Sequence, residues 1–131
     1  LDTNYQPAYR GLGIVNYSRN NYGQSISYLN RSLSLFPTDL PSHYFIGMSY
    51  YRQQQCRQAI QHLKPFGDAQ PKHPTVHGVL GQCYENMNDP SSAYTEYVAQ
   101  TRIDSRSEIG RHAASRAQVL KTSVQRMRIG N

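Results

Sequence analysis

The tightest constraint on this chain is an internal period of 34 residues. Gly13, Gly47 and Gly81 are successive members of one series, preceded each time by Leu12, Ile46 or Leu80. A second series is Ser25, Ala59 and Ala93, and a third is Leu29, Leu63 and Tyr97. Tyr50 is answered by Tyr84, and Pro37 by Pro71. Within the middle copy, His43 to Leu63 reads as two short amphipathic helices with a polar break at Gln53–Gln55. A period of this length means that each copy is one supersecondary unit, stacked on its neighbours to bury a continuous core.

Helix punctuation recurs with the period. Pro7 suits the first turn of a helix, where its missing N–H has no partner to lose. Gly13 costs about 1 kcal/mol against alanine in a helix interior, so its recurrence at 47 and 81 implies close packing of paired helices. Asn20-Asn21 makes a turn; Ile26, Leu29, Leu33 and Phe36 then share one helical face, which Pro37 ends. Asp39 and Pro41 mark the next start. Pro65, followed by Gly67, predicts a stop or kink near Lys64 and a lengthened connection to His73. Pro74 is expected to open the third copy, with Val76, Leu80 and Tyr84 on its first helix. Asn88-Asp89-Pro90 reads as turn, cap and first helical residue. A last helix is expected from about Arg106 to Met127, with Ile109, Ala113, Ala117, Leu120, Val124 and Met127 as its apolar stripe.

These residues resemble the tetratricopeptide repeat family: a large residue, Leu-Gly and Tyr in the first helix, then small residues, an aromatic and a closing Pro in the second. The middle repeat supplies His43, Ile46-Gly47, Tyr50, Ala59, Leu63 and Pro71. The resemblance implies an all-α, right-handed α-solenoid of three helix-turn-helix repeats. It also implies one domain over residues 1–131, with repeats at about 6–39, 40–73 and 74–105 and a capping helix at about 106–128. It places the first helix of each repeat along a concave groove. The positions so mapped are Arg10, Ile14 and Tyr17 (with Ser18), then Tyr44, Met48, Tyr51 and Arg52, then Gln82 and Glu85 (with Asn86). The expected site is this aromatic, apolar and basic mixture, with each large side chain partly wet. The Lys/Asn/Arg clamp by which some members hold chaperone tails is missing, since its positions carry Ile14, Gly78 and Gln82.

The remaining features narrow the function. No run of about 18 apolar residues is present, and neither a signal peptide nor an initiating Met, so either a trimmed chain or a piece of a longer one is expected. Cys56 and Cys83 fit no metal spacing and read as small buried thiols. His43 and His77 repeat at 34 and read as packing residues; His112 reads as solvated. With eight carboxylates, no HExxH, and no glycine-rich phosphate loop, no catalytic constellation, metal site or cofactor is expected. Net charge is +6, of which residues 101–131 carry seven Lys/Arg against two Asp/Glu.

The first reading is therefore a non-enzymatic scaffold that takes a partner's peptide or helix into the groove, as a monomer or weak homo-oligomer. The second is the repeat domain of a larger bacterial envelope enzyme such as a metalloprotease, which leans the compartment toward the periplasm or envelope. The third is anionic-surface or nucleic-acid binding by the basic tail; it is disfavoured because residues 101–131 contain no aromatic for stacking.

Overall fold

A computed structural model describes residues 4–130. Among these, seven α-helices and no strand are found: α1 (Gln6–Ser18), α2 (Tyr22–Leu35), α3 (Leu40–Arg52), α4 (Cys56–Ala69), α5 (Val76–Asn86), α6 (Pro90–Ile103) and α7 (Glu108–Ile129). No helix among the described residues is long and apolar enough to cross a membrane. The helices gather into two compact units, divided between Phe66 and Gly67 inside α4.

The turns inside the repeats share one geometry. Asn20, Gln54 and Asn88 all have left-handed backbone, with φ of 63°, 61° and 60°. The N–H of the following residue reaches back to the last helical turn: Asn21 to Asn16 O at 2.8 Å, Gln55 to Tyr50 O and Asp89 to Tyr84 O at 2.9 Å. Asn20 itself donates to Tyr17 O at 2.9 Å, and Gln54 and Asn88 donate to Tyr51 O and Glu85 O at 3.0 Å. This pair of bonds closes the helix C-terminus and satisfies carbonyls that would otherwise be orphaned. Asparagine tolerates the left-handed region; glutamine does so at a cost.

Helix starts follow side-chain chemistry. The Asp39 carboxylate accepts from Ser42 N at 3.2 Å and from Ser42 Oγ at 2.6 Å. Asp89 accepts from Ser92 N at 3.1 Å, and Ser107 Oγ accepts from Gly110 N at 3.1 Å. The third repeat departs from expectation: Pro74 lies outside α5, which begins at Val76. There the His73 Nδ1 accepts from both Thr75 N and Val76 N, at 3.3 and 3.2 Å, in place of a proline start.

In the first unit, α1 and α2 meet at Gly13, where an added Cβ would stand 2.5 Å from Leu29 Cδ2. At Gly47 it would stand 2.5 Å from Leu63 Cγ and 3.3 Å from the Ala59 carbonyl oxygen. Leu29, Ile46, Ala59 and Leu63 are fully buried. Buried serines complete the contact: Ser25 Oγ donates to Gly13 O at 2.8 Å, and Ser32 and Ser42 hydroxyls pair at 2.8 Å. In the second unit, the equivalent crossing sets Gly81 against Tyr97, whose Cδ1 lies 2.6 Å from the ideal Cβ. Ala93, Tyr97, Ala113 and Leu120 form one buried cluster, with Tyr84, Tyr94 and Ala117 packed on it, so α7 covers the apolar side of α6. Cys56 and Cys83 are buried thiols, as expected.

Three expectations are corrected. Pro65 does not stop α4, which continues to Ala69. Gln61, whose carbonyl loses its partner, and Pro65 itself lie on the exposed face, where water can hydrate the carbonyl. The connection to α5 is nevertheless the long one, residues 70–75 against 36–39 between α2 and α3. Phe36 leaves the apolar face: it is the α2 C-cap at φ −144° and is 50% exposed. Met127 ends the α7 stripe 48% exposed rather than covered.

A histidine bond repeats with the period. His43 Nε2 lies 2.8 Å from the Pro37 carbonyl, and His77 Nε2 lies 2.9 Å from that of Pro71. A carbonyl only accepts, so both Nε2 atoms carry hydrogen. The other ring nitrogen faces a side chain of the following helix: His43 Nδ1 meets His62 Nδ1 at 3.0 Å, and His77 Nδ1 meets Glu96 Oε2 at 2.6 Å. In the neutral His43–His62 pair, His62 is therefore the donor and His43 the acceptor. Each histidine ties the closing proline of one repeat to the second helix of the next.

Two predictions arise here. Gln54→Gly, removing a side chain from a left-handed position, should raise stability by about 0.5–1 kcal/mol; an unchanged or lower urea midpoint would contradict the turn geometry. Burial, and secondarily the His43 ring, hold the His62 imidazole below its ordinary 6.5. A base with a depressed folded pKa stabilises the fold above its unfolded value and loses that contribution as pH falls. Stability should thus be nearly flat above about 7 and decline as pH drops through about 6.5 toward the lower folded value, and His62→Gln should shrink the decline. His73, shifted the same way by burial and by His77, accounts for a remainder.

Candidate functional site

The residues mapped to the groove divide between the units. Arg10, Ile14, Tyr17, Tyr44, Met48, Tyr51 and Arg52 stand on α1 and α3 of the first unit; Gln82 and Glu85 stand on α5 of the second.

On α1 and α3 the aromatic rings form a connected array. Tyr17 stands edge-on to Tyr22 at 5.7 Å between centroids and to Phe45 at 5.2 Å. Phe45 stands edge-on to Tyr44 at 5.1 Å, and Tyr44 leans on Phe66 at 4.9 Å. Such edge-to-face pairs stabilise by about 0.5–1.5 kcal/mol beyond their buried area and hold the rings in place. Tyr17, Tyr44 and Tyr51 are half-buried. Each is thus partly accessible to solvent, and the rings of Tyr17 and Tyr44 are held by their aromatic neighbours.

The two arginines differ. Arg10 Nη1 is 2.8 Å from Asp39 Oδ1, and that carboxylate is 4% exposed. Arg10 is thereby engaged within the fold, holding the N-terminal end of α3. Arg52 lies in the last turn of α3 and is exposed. A hydrogen bond to the Tyr17 side chain holds its guanidinium pKa above the ordinary value, with Tyr22 and Tyr51 nearby adding to the effect and burial opposing it. Its position at a helix C-terminus is also the one that suits a cation. Tyr17, Tyr51 and Arg52 thus come together. Ile14 is half-buried, but Met48 is only 6% exposed, contrary to the expected wet surface.

The second unit treats its two residues differently again. Glu85 accepts from Tyr97 Oη at 2.9 Å and from Arg116 Nε and Nη2 at 2.8 and 2.5 Å. The Arg116 bonds pull the Glu85 carboxyl below the usual range. This two-pronged pair fastens α7 to α5. Gln82 lines a cleft of about 480 Å³ with Ser107, Glu108, Ile109 and His112. His112 is exposed and edge-on to Tyr97 at 6.0 Å. No cluster of three metal-ligating side chains occurs among the described residues.

Phe45, Tyr22 and Phe66 are the members of the array outside the mapped positions. Their sequence signal was the density of aromatics, since periodicity puts Phe45 beside the groove pattern rather than in it.

No family model matches the sequence, and no curated protein resembles it by sequence. Solved structures do. The chain is similar to the type III secretion chaperone SycD of Yersinia enterocolitica, in complex with a peptide of the translocator YopD. The TM-score is 0.75 at 13% identity, covering 89% of this chain and 92% of that one. It is similar to PcrH from Pseudomonas aeruginosa, with a TM-score of 0.71 at 12% identity, covering 88% and 91%. It is also similar to the Sgt2 TPR domain from Aspergillus fumigatus, with a TM-score of 0.71 at 16% identity, covering 94% and 81%. With the period, the glycine crossings and the repeated turns, these likenesses establish the fold: an all-α helical-repeat solenoid of the tetratricopeptide type.

Proposed function

We propose that this chain is a non-catalytic protein-interaction scaffold, a single tetratricopeptide-type domain that binds a peptide or helix of a partner on α1 and α3. The observation that carries the reading is the ring array that holds half-buried Tyr17 and Tyr44, with half-buried Tyr51 and exposed Arg52 at the end of α3. Rings held by edge-to-face packing lose little freedom on binding, and large aromatics with arginine dominate interface energetics. Ile14 adds half-buried apolar surface on α1, Met48 is buried in α3, and Arg10 braces the scaffold through Asp39. In the second unit, Glu85 fixes Arg116 and Gln82 lines a cleft of its own. Structural neighbours lend support: SycD is in complex with a peptide of YopD, and PcrH with the chaperone binding region of PopD.

Tyr44→Ala combined with Tyr51→Ala should abolish capture of a partner identified by pull-down and mass spectrometry. Each truncation is expected to cost about 2 kcal/mol or more, with the far-UV circular dichroism unchanged. Arg111→Ala combined with Arg128→Ala should alter capture little at physiological salt. The reverse ranking would replace the peptide reading with binding by the basic C-terminal helix.

A further inference from the structure

Resting on the peptide-binding reading, we propose that the segment docking on the first unit is acidic, and that one of its carboxylates pairs with Arg52. Counted by unit, the larger excess of positive charge falls on the first rather than the second, which holds the basic tail. Residues 1–66 hold six Lys/Arg against two Asp/Glu, whereas residues 67–131 hold eight against six. Between residues 4 and 66 the one carboxylate is Asp39, which is buried and bound to Arg10. The exposed charge of the described first unit is therefore of one sign, and an acidic segment complements it.

Arg52 is an exposed cation in the last turn of α3, the helix that also carries Tyr44 and Tyr51. A phenol accepts one N–H of the guanidinium without neutralising its charge, and the remaining donors form a planar fork that matches a carboxylate. Apolar residues of the same segment would then lie along Tyr17 and Tyr44. A protein segment is favoured over a nucleic acid because base stacking needs open ring faces. Here Tyr17 and Tyr44 are each edge-on to Phe45, and Tyr44 also lies against Phe66.

The test uses fluorescence anisotropy on the full chain at near-physiological salt, with two pools of labelled dodecapeptides. Both alternate leucine with random polar residues; one fixes glutamate at the centre, the other glutamine. Labelled dodecauridylate is the third probe. The glutamate pool should bind about tenfold tighter than the glutamine pool, as a charge-assisted bidentate contact warrants. Arg52→Gln should erase that preference, and Arg126→Gln should leave it. A glutamate preference that survives Arg52→Gln overturns the assignment. Equal binding of both pools, weakened alike by Tyr44→Ala, overturns the carboxylate contact while the peptide-binding reading stands. Binding of neither pool overturns both, and binding of dodecauridylate alone makes the surface one for nucleic acid.

Discussion

Each repeat depends on one contact, the approach of a glycine-bearing helix to a large side chain on its partner. At Gly13 and Gly47 the facing residue is leucine, and at Gly81 it is Tyr97; in all three an added Cβ would fall within 2.6 Å of that side chain. The small residues of the neighbouring series, Ser25, Ala59 and Ala93, are fully buried. A glycine in a helix interior is unfavourable by about 1 kcal/mol. It is offset here by burial of a complete leucine or tyrosine side chain, worth about 1.5–3 kcal/mol. Because the same exchange is made at every repeat, the spacing within each helix pair is set locally.

The polar residues divide by what they hold. Asp39 is used to start α3 and hold Arg10, and Glu85 is used to hold Arg116. Arg52 answers instead to phenols, and no fold element depends on it in the way α3 depends on Asp39. That asymmetry separates two arginines that occupy comparable groove positions in the sequence.

Much of the fold was legible because it rests on backbone requirements that residue type reveals. The glycine series announced the crossings, and Asn20, Asn88 and Asp89 announced the turns; Gln54 entered by position alone. The fate of Pro65 was not legible, since it turns on which face of α4 the orphaned carbonyl occupies. The histidine bonds were half legible: His43 and His77 recur with Pro37 and Pro71, but their second partners, His62 and Glu96, differ chemically and hide the pattern. In the candidate site, Tyr17, Tyr44 and Arg52 came from repeat position. The edge-on role of Phe45 and the burial of Met48 depend on side-chain packing that periodicity does not encode.

The direct test of this account is a double-mutant cycle between Gly47 and Leu63, read by urea unfolding. Helix propensity alone would make Gly47→Ala stabilising by about 1 kcal/mol. The crossing predicts instead that Gly47→Ala destabilises the protein. In a Leu63→Ala background the same change should become neutral or favourable, a coupling of about 1 kcal/mol or more. Equal stabilisation by Gly47→Ala in both backgrounds would show that the glycine does not set the helix contact, and would contradict the account.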